Sequence, residues 1–288
     1  MGGHSELVVG QKRRSPSNTV YGFDRISLAF DRPESPISEA VLWKHCSDLD
    51  VRIAQLPYQS RWKAQMAIYQ PTADCLKLLH DSMRHDIAVL VTYVEFACDL
   101  LTTSSEYADR WRDEFVAAAS VRYQQQPASW FKGTCYYGRR SDTASRRSNV
   151  VAVYSDRPSK LNNARPRKQA PPCLHIEWRV SGADALERHG VACLNDLILF
   201  DHQSFWNRNV RLHKLPKLTA LGRLLATSAE NQRSTRDDAS RQRAVRWRAK
   251  HSVDKKFMMH NALLETRELT EKLEKVLFTD WLIATVAH

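Results

Sequence analysis

No two cysteines of the chain stand in a CxxC arrangement, and none of the six (Cys46, Cys75, Cys98, Cys135, Cys173, Cys193) has zinc-site spacing. That excludes a dithiol redox motif and a zinc knuckle. Several of the six lie inside apolar runs and read as buried, reduced thiols of a cytoplasmic protein. Long hydrophobic stretches are also missing. The longest, around Ile87 to Leu101, is interrupted by Glu95 and Asp99 and falls short of the roughly 18 residues a membrane span needs. The N-terminus (MGGHSELVVGQKRRSPSN) has no signal-peptide order of charge, apolar stretch and cleavage site. Glu6 stands where a myristoylation signal needs Ser or Thr. There is no internal repeat. The expectation is a cytoplasmic protein without membrane attachment.

What is present is an ordinary globular composition with a basic excess. Of 288 residues, 43% are hydrophobic and 26% charged, which excludes disorder throughout. Lys and Arg number 43 against 32 Asp and Glu, a formal net charge of +11. That excess attracts polyanions: nucleic acid, or an anionic membrane face.

Patterning predicts an α+β fold with a largely antiparallel central sheet and flanking helices. Residues 1–20 read as a mobile basic tail, 21–215 as the main domain, and 216–288 as a helical basic extension. Strands are expected at Phe23–Phe30, Trp62–Ile68, Ile87–Leu101, Trp130–Tyr137, Asn149–Ser155 and Leu174–Ser181. Helices are expected from Ser35-Pro36 to Cys46, from Pro71-Thr72 to Arg84, and over Ser104–Gln124. Ala183 to Leu221 reads as helical, broken at Pro216. Asn231–Lys250 reads as a basic linker with seven Lys/Arg. His251–Ala287 reads as a helix that docks on the domain or on a partner, or else continues one long solvated helix.

Three segments carry chemistry. In VTYVEFACDLL, Val94, Phe96, Cys98 and Leu100 share one face of a strand, and Glu95, Ala97 and Asp99 the other. Two carboxylates in an apolar strand need cationic partners: a metal ion, or arginines and solvent. Positions four apart on a strand lie about 13 Å apart, so one of the pair can ligate a small ion while the other supports it. In CLHIEWRVSG, His175, Glu177 and Arg179 share a face. That pattern suits a hard-cation site or a cross-strand Glu–Arg pair. In SNVVAVYSDRPSK a valine-rich strand ends in Tyr154, either a half-buried strand-end ring or a nucleophile for phosphorus. Arg157 and Lys160 follow closely and can offset negative charge there. Arg139, Arg140, Arg146 and Arg147, with Tyr136 and Tyr137 just before them, mix phosphate contacts with stacking surfaces. The same stretch also fits solvated loops.

In this order the segments resemble the replication initiator family of rolling-circle plasmids and phages, with the related conjugative relaxases. The resemblance runs from Tyr21 to Leu215. It is carried by VEFACDL, by Thr134, Tyr136, Gly138, Arg140 and Ser141 in TCYYGRRS, by VVAVYSD, by HIEWRV, and by the lead-in IYQPTADCLKLLH. The resemblance implies a nicking domain with the topology of the HUH nickases. It implies Tyr154 as nucleophile with Lys160 and Arg157 beside it, Glu95, Asp99 and Glu177 as carboxylates for Mg²⁺ or Mn²⁺, and Tyr136 and Tyr137 as reserve nucleophiles. Such proteins cut one strand of origin DNA, keep the 5′ phosphate on tyrosine, and leave a 3′ hydroxyl for a polymerase. The origin is single-stranded or a hairpin at the nick, and a host helicase then unwinds the duplex. Ala152, Asp156 and His175 depart from the family's Arg, Lys and Arg at those places. The oligomeric state stays open.

Overall fold

The computed structural model describes residues 18–53, 61–83, 87–121, 129–138, 149–161, 170–213 and 274–286. The expected basic tail at 1–17, the arginine-rich stretch 139–148 and most of the expected basic helical extension, at 214–273, lie outside them.

The chain lays down β1 (Thr19–Phe30), α1 (Glu39–Leu42), β2 (Asp48–Ile53), β3 (Ala64–Tyr69), α2 (Ala73–Ser82), β4 (Val89–Leu101) and α3 (Ser105–Ala118). There follow β5 (Ala119–Val121), β6 (Ser129–Phe131), β7 (Thr134–Tyr137), β8 (Asn149–Tyr154) and β9 (Cys173–Ser181). The last elements are α4 (Ala183–Glu187), α5 (Leu194–Ile198), α6 (His202–Asn209), β10 (Val210–His213), β11 (Lys275–Val276) and α7 (Phe278–Val286). Eight strands form one sheet in the order β2-β3-β1-β4-β9-β8-β7-β6, and every neighbouring pair is antiparallel. The fold is therefore α+β around a large antiparallel sheet. A small sheet, β11-β10-β5, sits beside it.

Local chemistry accounts for the helix starts. Thr72 accepts a hydrogen bond from the Cys75 N–H at α2, and Ser104 accepts one from Tyr107 at α3. Each hydroxyl satisfies a backbone donor that the first turn leaves orphaned.

Strand alternation divides the large sheet into two unlike faces. On one, register aligns Phe23, Phe96, Trp178, Val151 and Tyr137, and beside them Cys98, Ile176, Val153 and Cys135. The helices cover this face with Leu76, Leu79, Phe115, Leu186, Leu197, Phe205 and Trp206. Phe96 stacks on Phe205 at 4.3 Å, and Trp178 meets the same ring edge-on at 5.6 Å. Of the C-terminal extension, β11 pairs with β10. Phe278 of α7 stacks on Trp206 and meets Phe115 edge-on. The opposite face carries Glu95, Ala97 and Asp99 beside His175, Glu177 and Arg179.

The structure departs from sequence expectation in several places. The expected strand Trp130–Tyr137 is a hairpin, β6 and β7, turning at Lys132-Gly133 with positive φ at both (47° and 78°). Of the helix expected over 183–221, the described residues, which end at 213, form three short helices and then β10, because the alternation of Val210 and Leu212 overrides the helical pattern. The helix expected from Ser35 to Cys46 contracts to α1 and a 3-10 turn at Trp43–His45. Strand β2, charged at alternate positions and at the sheet's edge, has no counterpart among the expected strands. Thr19 and Val20, placed in the tail, pair with Leu100 and Asp99. No described helix is long and apolar enough to cross a membrane.

Candidate active site

Three register rows build the site. Asp99 on β4 faces His175 on β9, which faces Tyr154 on β8. In the next row Ala97, Glu177 and Ala152 lie side by side, with Gly22 of β1 beyond Ala97. In the third, Glu95 faces Arg179, which faces Val150. Glu177 is thus flanked across the sheet by residues with small side chains, and the Leu161 side chain lies over Gly22 at the end of the row.

The fourth contributor comes from an irregularity. β1 pairs Phe23 with Phe96 and then Arg25 with Glu95, so Asp24 is the extra residue of a β-bulge. Bulges re-aim side chains. Strict alternation from Ile26 and Leu28 would aim Asp24 at the apolar face. Here it is buried at the acidic face instead. The Lys160 ammonium binds Asp24 Oδ2 at 2.8 Å, and the Gln70 amide donates to the Asp24 carbonyl at 2.8 Å and to its carboxylate.

These rows converge. His175 donates from Nδ1 to Asp99 and from Nε2 to Glu177 Oε2 at 3.3 Å. Asp99 is held from behind by the Ser159 hydroxyl and the Leu161 N–H. Arg179 pairs with Glu177 and stands 3.8 Å from Glu95, which also accepts a hydrogen bond from the Tyr93 hydroxyl. The Tyr154 hydroxyl donates to Glu177 Oε2 at 3.3 Å, and its ring lies 4.6 Å from that of His175. The Arg157 guanidinium is 5.2 Å and the Lys160 ammonium 5.7 Å from the centre of the Tyr154 ring.

Asp24, His175 and Glu177 are all buried, and each offers one ligand atom within 4.8 Å of the others. Donors at about 2.0–2.6 Å from a common centre span such separations. Two carboxylates and a neutral imidazole suit Mg²⁺ or Mn²⁺, so the residues fit a divalent cation once the His175 ring gives up a proton to make room for it. His175 held from behind by Asp99 is the arrangement that orients a ligating imidazole.

Electrostatics sharpen the picture. Burial opposes charge on His175, but Asp99 and then Glu177 outweigh it and push the imidazole up to about 10. Burial likewise works against the Glu177 carboxylate, yet His175 and Arg179 hold it below the usual range. The Glu95 carboxyl is raised, by burial first and then by repulsion from Glu177. The Tyr154 phenol is driven far above its ordinary value by burial, and further by Glu177, Asp24 and Asp99, with Arg157 opposing. Ionising it needs added positive charge.

Of the residues singled out from the sequence, Tyr154, Glu177, Asp99, Arg157 and Lys160 come together. Glu95 is drawn away toward Tyr93 and Arg179, and Asp99 sits behind His175 rather than in the three-donor group. Tyr136 aligns with Ala152 and Glu177 on the acidic face. Tyr137, read with it as a stacking surface and a reserve nucleophile, instead faces the core, 6% exposed, its hydroxyl donating to the Val116 carbonyl. The cause is alternation: neighbours on a strand point to opposite faces. Arg139, Arg140, Arg146 and Arg147 lie outside the described residues. Asp24, Gln70 and Ser159 were not visible as site residues in sequence. Only the acid-plus-bulge of β1 could have signalled Asp24, and a bulge has no composition of its own.

No protein-family model matches the chain, and no curated protein matches it in sequence. Among solved structures it is similar to a rolling circle replication initiator protein from Geobacillus stearothermophilus, at 9% sequence identity and a TM-score of 0.33. That similarity covers 69% of this chain and 89% of the other.

Proposed function

We propose that this chain nicks one strand of replication-origin DNA by metal-dependent transesterification on Tyr154, as a rolling-circle initiator. One observation carries the reading. The Tyr154 hydroxyl lies 3.3 Å from Glu177 Oε2, and Glu177 is one of three buried donors whose ligand atoms lie within 4.8 Å of one another. Nucleophile and candidate metal site share one face of one sheet, although 130 positions separate Asp24 from Tyr154 in the chain.

The residues divide the work. Glu177 accepts the phenol's hydrogen bond and orients the hydroxyl, and the phenol's proton passes to water. The phenolate oxygen then bonds to phosphorus, the P–O3′ bond breaks, and the leaving 3′ oxygen takes up a proton from water. The product is a 5′-phosphotyrosine and a free 3′ hydroxyl. Lys160 and Arg157, stacked near the Tyr154 ring, offset the charge that develops. A divalent cation held by Asp24, His175 and Glu177 would supply Lewis acidity to the phosphate oxygens. Asp99, Ser159 and the Leu161 N–H orient His175. Arg139, Arg140, Arg146, Arg147 and Tyr136 would grip the strand, and a helicase of the host cytoplasm would extend the opening.

The test is incubation with supercoiled plasmid carrying the cognate origin and Mn²⁺. The expected result is an open circle with covalently attached protein, abolished by Tyr154→Phe. Nicking that survives this substitution removes Tyr154 from the role.

A second reading has its own observation. Each metal-competent donor already has a protein partner: Asp24 has Lys160, His175 has Asp99, and Glu177 has Arg179. A network so satisfied also serves a DNA-binding protein that does not cut. Salt-sensitive DNA binding without cleavage under any divalent metal selects that reading.

A further inference from the structure

The β6–β7 hairpin forms the outer edge of the sheet, two strands beyond Tyr154. Among the described residues the exposed large aromatic side chains are Trp43, Tyr107, Trp130 and Phe131. On this hairpin Trp130 is 43% and Phe131 41% exposed. The rings point to opposite sides. Trp130 faces Cys135, which faces Val153, so it belongs to the helix-covered face. Phe131 faces Thr134, and the register of Cys135 with Val153 puts Thr134 beside Tyr154. Phe131, Thr134, Tyr154, His175 and Asp99 therefore form one continuous row on the acidic face. At about 4.8 Å between strands, Phe131 lies roughly 10 Å from Tyr154 across the sheet.

Positive charge accompanies the ring. The Lys132 ammonium lies 5.4 Å from the centre of Phe131. Lys132 also holds φ at 47°, a left-handed conformation that Asn or Gly adopts at lower cost. The turn thus keeps a cation at its tip where a neutral residue would be less strained. A second copy of this chain would bring the same +11 charge to a three-residue edge strand, so charge favours a polyanion.

We propose that Phe131 is a stacking contact for a base of single-stranded DNA, with Lys132 on an adjacent phosphate, next to the phosphate held at Tyr154. The proposal rests on the nicking reading for the path of the strand. Its own content is the recognition of an unpaired base at the sheet's edge. Stacking needs an exposed base face, which a duplex does not offer, and it is tolerant of base identity.

The experiment uses the full chain in EDTA, so that cleavage plays no part. Anisotropy of a short fluorescein-labelled oligothymidine is followed at several salt concentrations, and the same oligomer is tested as a duplex with its complement. Phe131→Ala is expected to weaken single-strand binding by roughly 5- to 150-fold, the range of one stacked base, with the salt slope unchanged and duplex binding unaffected. Lys132→Ala is expected to lower the salt slope by about 0.7, one phosphate's share on a single strand. Circular dichroism melts check that each variant folds. Wild-type affinity in Phe131→Ala, or equal losses on single strand and duplex, overturns the proposal. Equal losses in Trp130→Ala and Phe131→Ala overturn the placement on the Tyr154 face. Failure of the nicking assay with these binding results intact would remove the chemistry and leave the stacking contact standing.

Discussion

The two faces of the central sheet share a backbone and differ in almost everything else. Along β9, Ile176, Trp178 and Val180 enter an apolar layer, while His175, Glu177 and Arg179 enter a network of charges. The contrast extends to single histidines. His202, on the apolar side, lies among Tyr21, Phe23 and Phe200, and its Nδ1 is buried without a hydrogen-bond partner among the described residues. Burial lowers it to about 4, against a slight opposing pull from Asp201. His175, two strands of alternation away on the other side, is pushed up to about 10 by its carboxylates. The same residue type is kept neutral by one face and charged by the other. The apolar face supplies stability. The charged face holds buried ions in place, an arrangement weak as evidence of stability and suited to chemistry.

Substitutions can break or sharpen that contrast. The largest effect belongs to the apolar face: Phe96→Ala removes a ring stacked on Phe200 and Phe205 and should cost about 3–5 kcal/mol, read by denaturant titration, whether or not divalent metal is present. Next comes acid. His202 has a folded-state value below its ordinary one, so its contribution is complete above about 6.5 and is lost as pH falls from there toward about 4. At 1.36 kcal/mol per unit that loss is about 3 kcal/mol. His202→Phe should flatten this part of the stability–pH curve, and an unchanged curve would show that the ring is hydrated. On the charged face, Asp24→Asn should lower Mn²⁺ affinity by at least about tenfold, the scale of even supporting residues around a metal, as measured by calorimetry. Its metal-free melting temperature should stay near wild type, because Lys160 remains partly exposed. The smallest effect is at the hairpin. Lys132→Asn should stabilise the fold by up to about 1 kcal/mol by relieving the left-handed φ, while weakening single-strand binding.

Much of this was legible in the sequence, and the limits have physical causes. Period-two alternation placed Glu95, Ala97 and Asp99 on one face and His175, Glu177 and Arg179 on another, and those faces meet across β4 and β9. The length of a strand residue put Glu95 and Asp99 too far apart to share an ion, and they serve different partners. Alternation cannot say which strands will be neighbours, so the meeting of Tyr154 with Glu177 needed the folded chain. It also fails where it is interrupted, which hid Asp24. The turn at Lys132-Gly133 escaped notice because Lys is an unusual first residue for so tight a hairpin. Strand β2 escaped although it alternates strictly, because two of its three polar positions are Asp, a residue depleted in strands.

The bulge at Asp24 makes strand phase, more than side-chain identity, the sensitive variable of β1. A substitution there alters one group. Flattening the bulge without shortening the strand would instead move Asp24 opposite Phe96 and shift the phase of everything on its N-terminal side. Asp24 would then be denied the detour that now carries its carboxylate out of the apolar layer. Deleting Asp24 leaves Phe23 opposite Phe96 and Arg25 opposite Glu95, so that one-residue deletion should keep the sheet and lose this carboxylate alone.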